Sequence, residues 1–437
     1  MPILRRLSAW SALALLIYMP FHVFLSQWLS LATGGLDAWK LGKDVFLFLV
    51  MMFTICLVWA KKRGTREFTI LVAVSAAYAA LHFIVWVVHP AIFTDSALLG
   101  IIYNDRVFGY LLLGMGAGLL LGSEQKSLTM LSKVVLGVST LVALLGVLQY
   151  FLPKDILTHF GYGLQRGTLP AFFIDNKPDF PRVMSTLRDP NSLGAYLILP
   201  MTWLTALLVG ARDNKRRVLL AGLLGLHSLA LFLTFSRGAW AAALLAVGLL
   251  LAWQFRKVIL VLTKRFWPVL AVLCVLGVCG LFAARNTYVF KSYVTHSTGA
   301  PQAAYDSNGF HWVFAKRGLE GIVHNPFGHG PGTAGLASIQ NPAGSFLTEN
   351  YYIQIGYEVG VLGLLLFVAI NVLVYRALWR RRGTLLPVVL IASFWAYVLM
   401  NMLFHMWSNE AVAAQWWILA GLAIALPVAN TKKPRTA

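Results

Sequence analysis

Along its 437 residues the chain alternates long, nearly uncharged apolar runs with short polar breaks. The runs lie near 9–31, 44–60, 67–88, 107–122, 134–152, 192–210, 218–235, 239–255, 266–283, 354–376, 384–403 and 411–429. Each is roughly 17 to 25 residues long, enough to cross a hydrocarbon core about 30 Å thick. They are continuously apolar and do not alternate, so helices are predicted and not a barrel. The pattern therefore predicts an all-α, polytopic integral membrane protein of about twelve transmembrane helices, with 1–437 as a single membrane domain. The first run follows Arg5 and Arg6, is too long for a removable signal and has no small-residue cleavage site after it. It reads as a permanent helix.

Two breaks are long, 153–191 and 284–352, and they hold most of the unusual polar residues. Long segments without low-complexity sequence usually carry function or structure of their own. Within the second, Gly309–His324 mixes Phe310, Phe314, Ile322 and Val323 with Lys316, Arg317 and Glu320, predicting an amphipathic helix on the membrane surface. It stops at Asn325-Pro326, and a glycine-rich turn through Gly328, Gly330 and Gly332 follows. No repeat relates the two halves, which argues against the inverted-repeat plan of many transporters.

Composition agrees with the hydrophobic pattern. The chain is 59% hydrophobic and 12% charged, with mean hydropathy +0.72, far from the roughly one-quarter charged residues of soluble domains. The net +20 is concentrated in short loops: Lys61-Lys62-Arg63, Lys126 with Lys133, Arg212–Arg217, Arg256–Arg265, Arg380–Arg382 and the tail Lys432–Arg435. All fall on one side of the predicted spans. That side is the cytoplasm by the positive-inside rule, so both termini are expected there and both long segments outside. Nucleic acid is not an expected partner, since the basic loops lack interleaved aromatics. Cys56, Cys274 and Cys279 sit in apolar runs without metal-ligand spacing and read as small core residues.

Three arginines break the inside bias. Arg182 and Arg188 precede the 192–210 run, and Arg237 sits between two runs joined almost without a loop. An arginine on the outer side asks for an anionic partner, and its planar fork of donors suits phosphate oxygens. Farther on, Glu349–Gly363, ENYYIQIGYEVGVLG, sets a carboxylate, an amide and two tyrosines at the mouth of a hydrophobic helix. Tyrosines alone would suffice for anchoring. The extra polar groups point to chemistry at the membrane surface.

At these residues the chain resembles the O-antigen ligase and polymerase superfamily, which includes lipopolysaccharide O-antigen ligases, Wzy-type polymerases and bacterial protein O-oligosaccharyltransferases. The resemblance rests on RVMSTLRDPNSLGAYL (182–197), FSRGAW (235–240), NPFGHGPGTAG (325–335) and ENYYIQIGYEVGVLG (349–363), in family order. It implies a GT-C-like architecture in the bacterial inner membrane, and transfer of a glycan from a polyprenyl-diphosphate-linked donor to an acceptor hydroxyl at the periplasmic face. The acceptor would be lipid A core or another glycan, with membrane lipids as surroundings and no metal or other cofactor. A protein O-oligosaccharyltransferase is the alternative within the class; a lipid-linked glycan flippase or exporter is the alternative outside it. Residue by residue, Arg182 and Arg237 match the arginines expected to hold the diphosphate, and Asn350, Gln354, Glu358 and Gly360 match the late motif. The sequence departs from the family at two places: Glu349 stands where a histidine is usual, and His311 where an arginine is expected.

The chemistry accommodates both departures. Transfer from a diphosphate needs a base at the acceptor hydroxyl and positive charge on the leaving group. Glu349 fits the base, with His311 orienting it or sharing the proton, and His311 is the next candidate for the base itself. Arg182, Arg188 and Arg237 would hold the diphosphate, and one carboxylate acting alone favours inversion at the anomeric carbon. Each residue also has a plainer reading. Glu349 suits a helix start, the arginines suit lipid headgroups, and a surface helix tolerates His311.

Overall fold

The computed structural model describes residues 2–89, 95–122, 125–174, 177–287, 290, 307–341 and 344–425, some of them by backbone alone. Fourteen α-helices are described: α1 Pro2–Tyr18, α2 His22–Thr33, α3 Leu36–Ala60, α4 Arg66–Val88, α5 Asp95–Leu121, α6 Gln125–Phe151, α7 Pro190–Gly210, α8 Asn214–Leu233, α9 Arg237–Gln254, α10 Arg256–Ala284, α11 Ser307–His324, α12 Tyr351–Arg380, α13 Leu385–Leu403 and α14 Glu410–Ala425. Ten stretches are long and apolar enough to cross a membrane, the first of them Arg6–Thr33, which takes in α1 and α2. The chain is an all-α polytopic membrane protein, with one two-residue hairpin, β1 Phe172–Phe173 against β2 Pro181–Arg182.

Two of the twelve expected runs take another form. The 266–283 run lies in α10, which kinks at Phe266 ahead of Pro268. The 411–429 run appears as α14, sixteen residues long, and its end lies outside the described residues. The first run is broken by a 3-10 turn, Met19–Phe21, carrying Pro20, since proline removes a backbone donor and crowds the preceding turn.

The helices also begin earlier than the apolar pattern predicts: α3 at Leu36 and not near 44, α5 at Asp95 and not near 107. The reason is a set of ion pairs inside the bundle. Lys43 bonds Asp44 at 2.9 Å, and Arg106 meets Asp44 and Glu410 at 3.4 Å each. Arg106 also donates to Ser408 O and lies over the Tyr103 ring. Buried charges are tolerated when paired, so helix continues through residues that look like span ends. Charge is thus not confined to the outer mouth of the protein, as the loop pattern suggested.

At the centre, α14 packs along α5. Gly114 and Gly421 let the backbones touch: a Cβ on Gly114 would lie 2.2 Å from Ile418 O, and one on Gly421 2.2 Å from Leu111 O. Small residues serve membrane helices in this way because no hydrophobic force drives them together. Trp407, Trp416, Trp417 and Tyr397 fill the space beside this pair. Cys56 and Cys279 are exposed, so they are not core residues.

Candidate active site

Separate segments meet at one end of the bundle: 181–189, 233–237, the described parts of the late loop, 325–341 and 344–350, and the α13–α14 joint at 404–409. The first pair is tied by Arg182, whose Nε donates to Thr234 O at 2.8 Å while Val183 N donates to Leu233 O at 3.1 Å. Its Nη2 donates to Asn191 Oδ1 at 3.0 Å. Burial, partly offset by Asp189 and reinforced by the Arg237 charge, lowers the Arg182 guanidinium to about 10. It stays positive at neutral pH.

Arg237 opens α9 directly after the turn at Thr234–Ser236. Its charge acts on both Arg182 and His311, which places it between the arginine segment and the late loop. The turn is held by Trp240, whose indole donates to Leu231 O at 2.9 Å and whose ring stacks on Phe232.

His311 lies on the inner face of α11, with Nδ1 3.5 Å from Glu349 Oε2 and its ring edge-on to Phe404. Helix α11 spans the segment expected to be an amphipathic helix and is seated on α12: Gly318 packs under Ile353 and Thr348, and Ile322 against Gly356. Burial lifts the Glu349 carboxyl from its ordinary 4.5 to about 7. Burial, with Arg237 nearby, lowers the His311 imidazole. A neutral imidazole therefore faces a carboxyl that changes charge near neutral pH.

The backbone at these segments is strained. Among the described residues, non-glycine residues take positive φ at Lys62, Ser185, Phe235 and Glu349, and the last three belong to the three site loops. Such conformations cost about 1–3 kcal/mol each and persist only where the surroundings hold them. Around Ser185 that support is Gln149 Oε1, which accepts from Met184 N at 2.9 Å and Ser185 N at 2.8 Å. At Glu349 the support comes from the neighbours on either side. Thr348 donates to Asn350 O at 2.9 Å, leaving its oxygen to accept from His405 Nε2 at 3.2 Å. Asn350 caps α12 by accepting from Tyr352 N and Ile353 N, and reaches Met402 O at 3.0 Å. Ser236 Oγ and His311 Nδ1 are buried without a hydrogen-bond partner among the described residues.

Glu358 has a different place. It is fully buried in α12 and accepts from Asn104 Nδ2 at 2.8 Å, Gly332 N at 3.0 Å, Ala334 N at 3.2 Å and Gln354 Nε2 at 3.4 Å. With Gln354 it fastens the glycine-rich turn onto the helix, so both residues support the site without facing it. Gly360 completes the fit: at φ 74, ψ −179 it breaks α12, and a Cβ there would lie 2.4 Å from Pro326 O.

The Arg188 charge acts on Lys40 and Tyr103. Two contributors were not read from the sequence. His405, which burial and the His311 charge lower to about 4, stands in the short break FHMWSNE between two apolar runs, where its polarity is a visible signal. The buried Lys43–Asp44–Arg106–Glu410 set lay at the edges of runs and was passed over as loop.

The O-antigen ligase family model, Wzy_C, matches residues 218–368. Over that segment the chain is similar to the O-antigen ligase family. The matched segment contains Arg237, His311, Glu349 and the Glu358 anchor, and starts after Arg182 and Arg188. The similarity supports O-antigen ligase or polymerase type glycan transfer in its broad form. No curated protein matches the sequence significantly.

Proposed function

We propose that the chain transfers a glycan from a polyprenyl diphosphate to an acceptor hydroxyl at the periplasmic face of the bacterial inner membrane, as an O-antigen ligase or polysaccharide polymerase. The observation that carries this reading is the meeting of Glu349 with His311 at 3.5 Å, beside an arginine whose charge acts on both His311 and Arg182. Base and leaving-group charge are thus assembled from segments more than a hundred residues apart.

In the proposed step the acceptor oxygen attacks the anomeric carbon and Glu349 takes its proton. The bond from that carbon to the diphosphate oxygen breaks, and its electron pair leaves with the diphosphate. Arg182 and Arg237 hold the growing negative charge there, where fixed positive groups act most strongly. His311 keeps the carboxylate oriented. The other carboxylates near the site are occupied: Asp189 caps α7 by accepting from Ser192 N at 2.9 Å and Ser192 Oγ at 2.6 Å, and Glu358 is enclosed beneath the turn. With no second carboxylate placed as a nucleophile among the described residues, direct displacement and inversion are favoured.

The exporter reading predicts charges lining a path through the spans. The charges within the bundle instead pair with one another at Lys43, Asp44, Arg106 and Glu410. The deciding experiment is transfer by purified protein in liposomes from a lipid-diphosphate glycan, offered lipid A core, a second glycan and a peptide in parallel. Consumption of lipid A core or glycan is expected. Consumption of peptide alone would make it a protein glycosyltransferase, and movement of the donor across the bilayer without transfer would reject the enzyme reading.

A further inference from the structure

Glu349 and His311 both meet a third element, the joint between α13 and α14. Phe404 of that joint lies edge-on to the His311 ring. Its neighbour His405 is buried, with Nε2 3.2 Å from Thr348 Oγ1. Met402, in the last turn of α13, accepts a hydrogen bond from Asn350 Nδ2 at 3.0 Å. Glu349 is therefore flanked by two residues, Thr348 and Asn350, that are each tied to the same piece of chain.

The joint is itself pinned. Asn401 Oδ1 accepts from Trp407 N at 3.0 Å, and Asn409 caps α14 by accepting from Ala411 N at 3.1 Å and Val412 N at 3.2 Å. Arg106 donates to Ser408 O, which fastens the joint to the buried ion pairs as well as to its two helices. A side chain carried on it has a defined position.

The direction of the His405 bond follows from counting protons. A hydroxyl has one proton, and that of Thr348 goes to Asn350 O at 2.9 Å. The Thr348 oxygen can then only accept from His405, so Nε2 carries a proton and donates. Glu349 stands at φ 52, a conformation that a residue with a Cβ keeps only where its surroundings hold it. From this backbone its carboxyl reaches to 3.5 Å from His311 Nδ1.

We propose that His405 is a positioning residue of the transfer site: through Thr348 it holds Glu349 in the left-handed conformation that sets the carboxyl beside His311. The expected effect on rate rests on the reading of Glu349 as the base; the hold itself does not. Among the described residues, the titratable groups around Glu349 are His311 on α11 and His405 on the joint, and the Arg237 charge of α9 acts on His311.

The test is a titration of the Glu349 carboxyl in the purified full chain, read from the infrared carboxyl band that Glu349→Gln removes, together with transfer kinetics at pH 8. In the parent the band should titrate near the value of about 7 to which burial lifts this group. His405→Ala should release the carboxyl to water and move the midpoint down by about one pH unit or more, toward the ordinary 4.5. It should lower kcat about ten- to a hundredfold, the scale of a small misplacement of a reacting group, and leave the donor KM unchanged. Thr348→Val, which removes the hydroxyl and keeps the shape, should do the same. His405→Gln, whose amide reaches the position of Nε2, should restore midpoint and rate, whereas His405→Asn, one methylene shorter, should not. A parental midpoint and kcat in both His405→Ala and Thr348→Val would overturn the proposal. So would equal losses of rate in His405→Gln and His405→Asn with the midpoint unmoved, which would make His405 a packing residue. A midpoint that moves in His405→Ala while Glu349→Gln transfers at the parental rate would support the hold and reject Glu349 as the base, so the two claims fail separately.

Discussion

Glu349→Gln keeps the shape of the side chain and removes only its capacity to take a proton. Burial holds the Glu349 carboxyl at about 7, so at pH 5 only about one site in a hundred is ionised and able to act as base. Transfer by the parent should therefore rise about a hundredfold from pH 5 to the plateau above pH 7. The glutamine variant should be slower by about 10²–10⁴ and lose that slope. Stability should move the other way. The folded-state pKa lies above the ordinary 4.5, so between those values the folded protein binds more protons than the unfolded chain and loses stability as pH rises. The distance from 4.5 to about 7 is worth at most about 3 kcal/mol, and solvent reaching the 27% exposed side chain reduces it. Glu349→Gln should thus be less active and yet more heat-resistant than the parent at pH 8, with no such advantage at pH 4.5. The assays are transfer of a labelled lipid-diphosphate glycan in proteoliposomes from pH 5 to 9, and thermal unfolding in detergent at the two pH values. A variant that transfers at the parental rate, or that keeps the parental pH slope, would show that Glu349 is a helix-start residue and pass the role to His311.

Four other outcomes are expected. Arg237→Lys should lose about a hundredfold in transfer because lysine keeps charge without the fork; near-parental rates for both the Lys and the Ala variants would remove it from the site. Gly360→Ala forces a side chain into a backbone region that only glycine takes readily and against Pro326 O. It should cost about 1–3 kcal/mol, read as a lower unfolding temperature. Arg106→Leu removes the cation paired with Glu410 and leaves Asp44 with Lys43 alone, and should destabilise by about 3–5 kcal/mol; an unchanged unfolding temperature would show the pairs to be dispensable. In a cysteine-free background, an impermeant thiol reagent on intact spheroplasts should label a cysteine at Lys154 and spare one at Arg216; the reverse pattern would invert the orientation.

The sequence alone determined the class of this protein, because membrane burial acts on each run separately: twenty apolar residues cross a bilayer whatever their neighbours do. It also marked the polar residues too costly to be incidental, among them Arg182, Arg237, His311 and Glu349. It could not tell which of these share a site. Arg182 and Arg188 are six residues apart and read as one group, and only the fold shows Arg182 tied to the 233–237 turn, across a left-handed turn at Ser185 held by Gln149. Glu358 and Gln354 read as supporting residues of the late motif, and only the packing of the glycine-rich turn on the Gly360 kink showed which loop they fasten. The ends of α3 and α5 were misread for a related reason. A charge is expensive in hydrocarbon only when unpaired, and the partners of Lys43, Asp44 and Arg106 lie on other helices, or next to them on a face that the linear pattern does not display. Pairing, strain and adjacency are properties of the assembled bundle, and tertiary structure alone decided them.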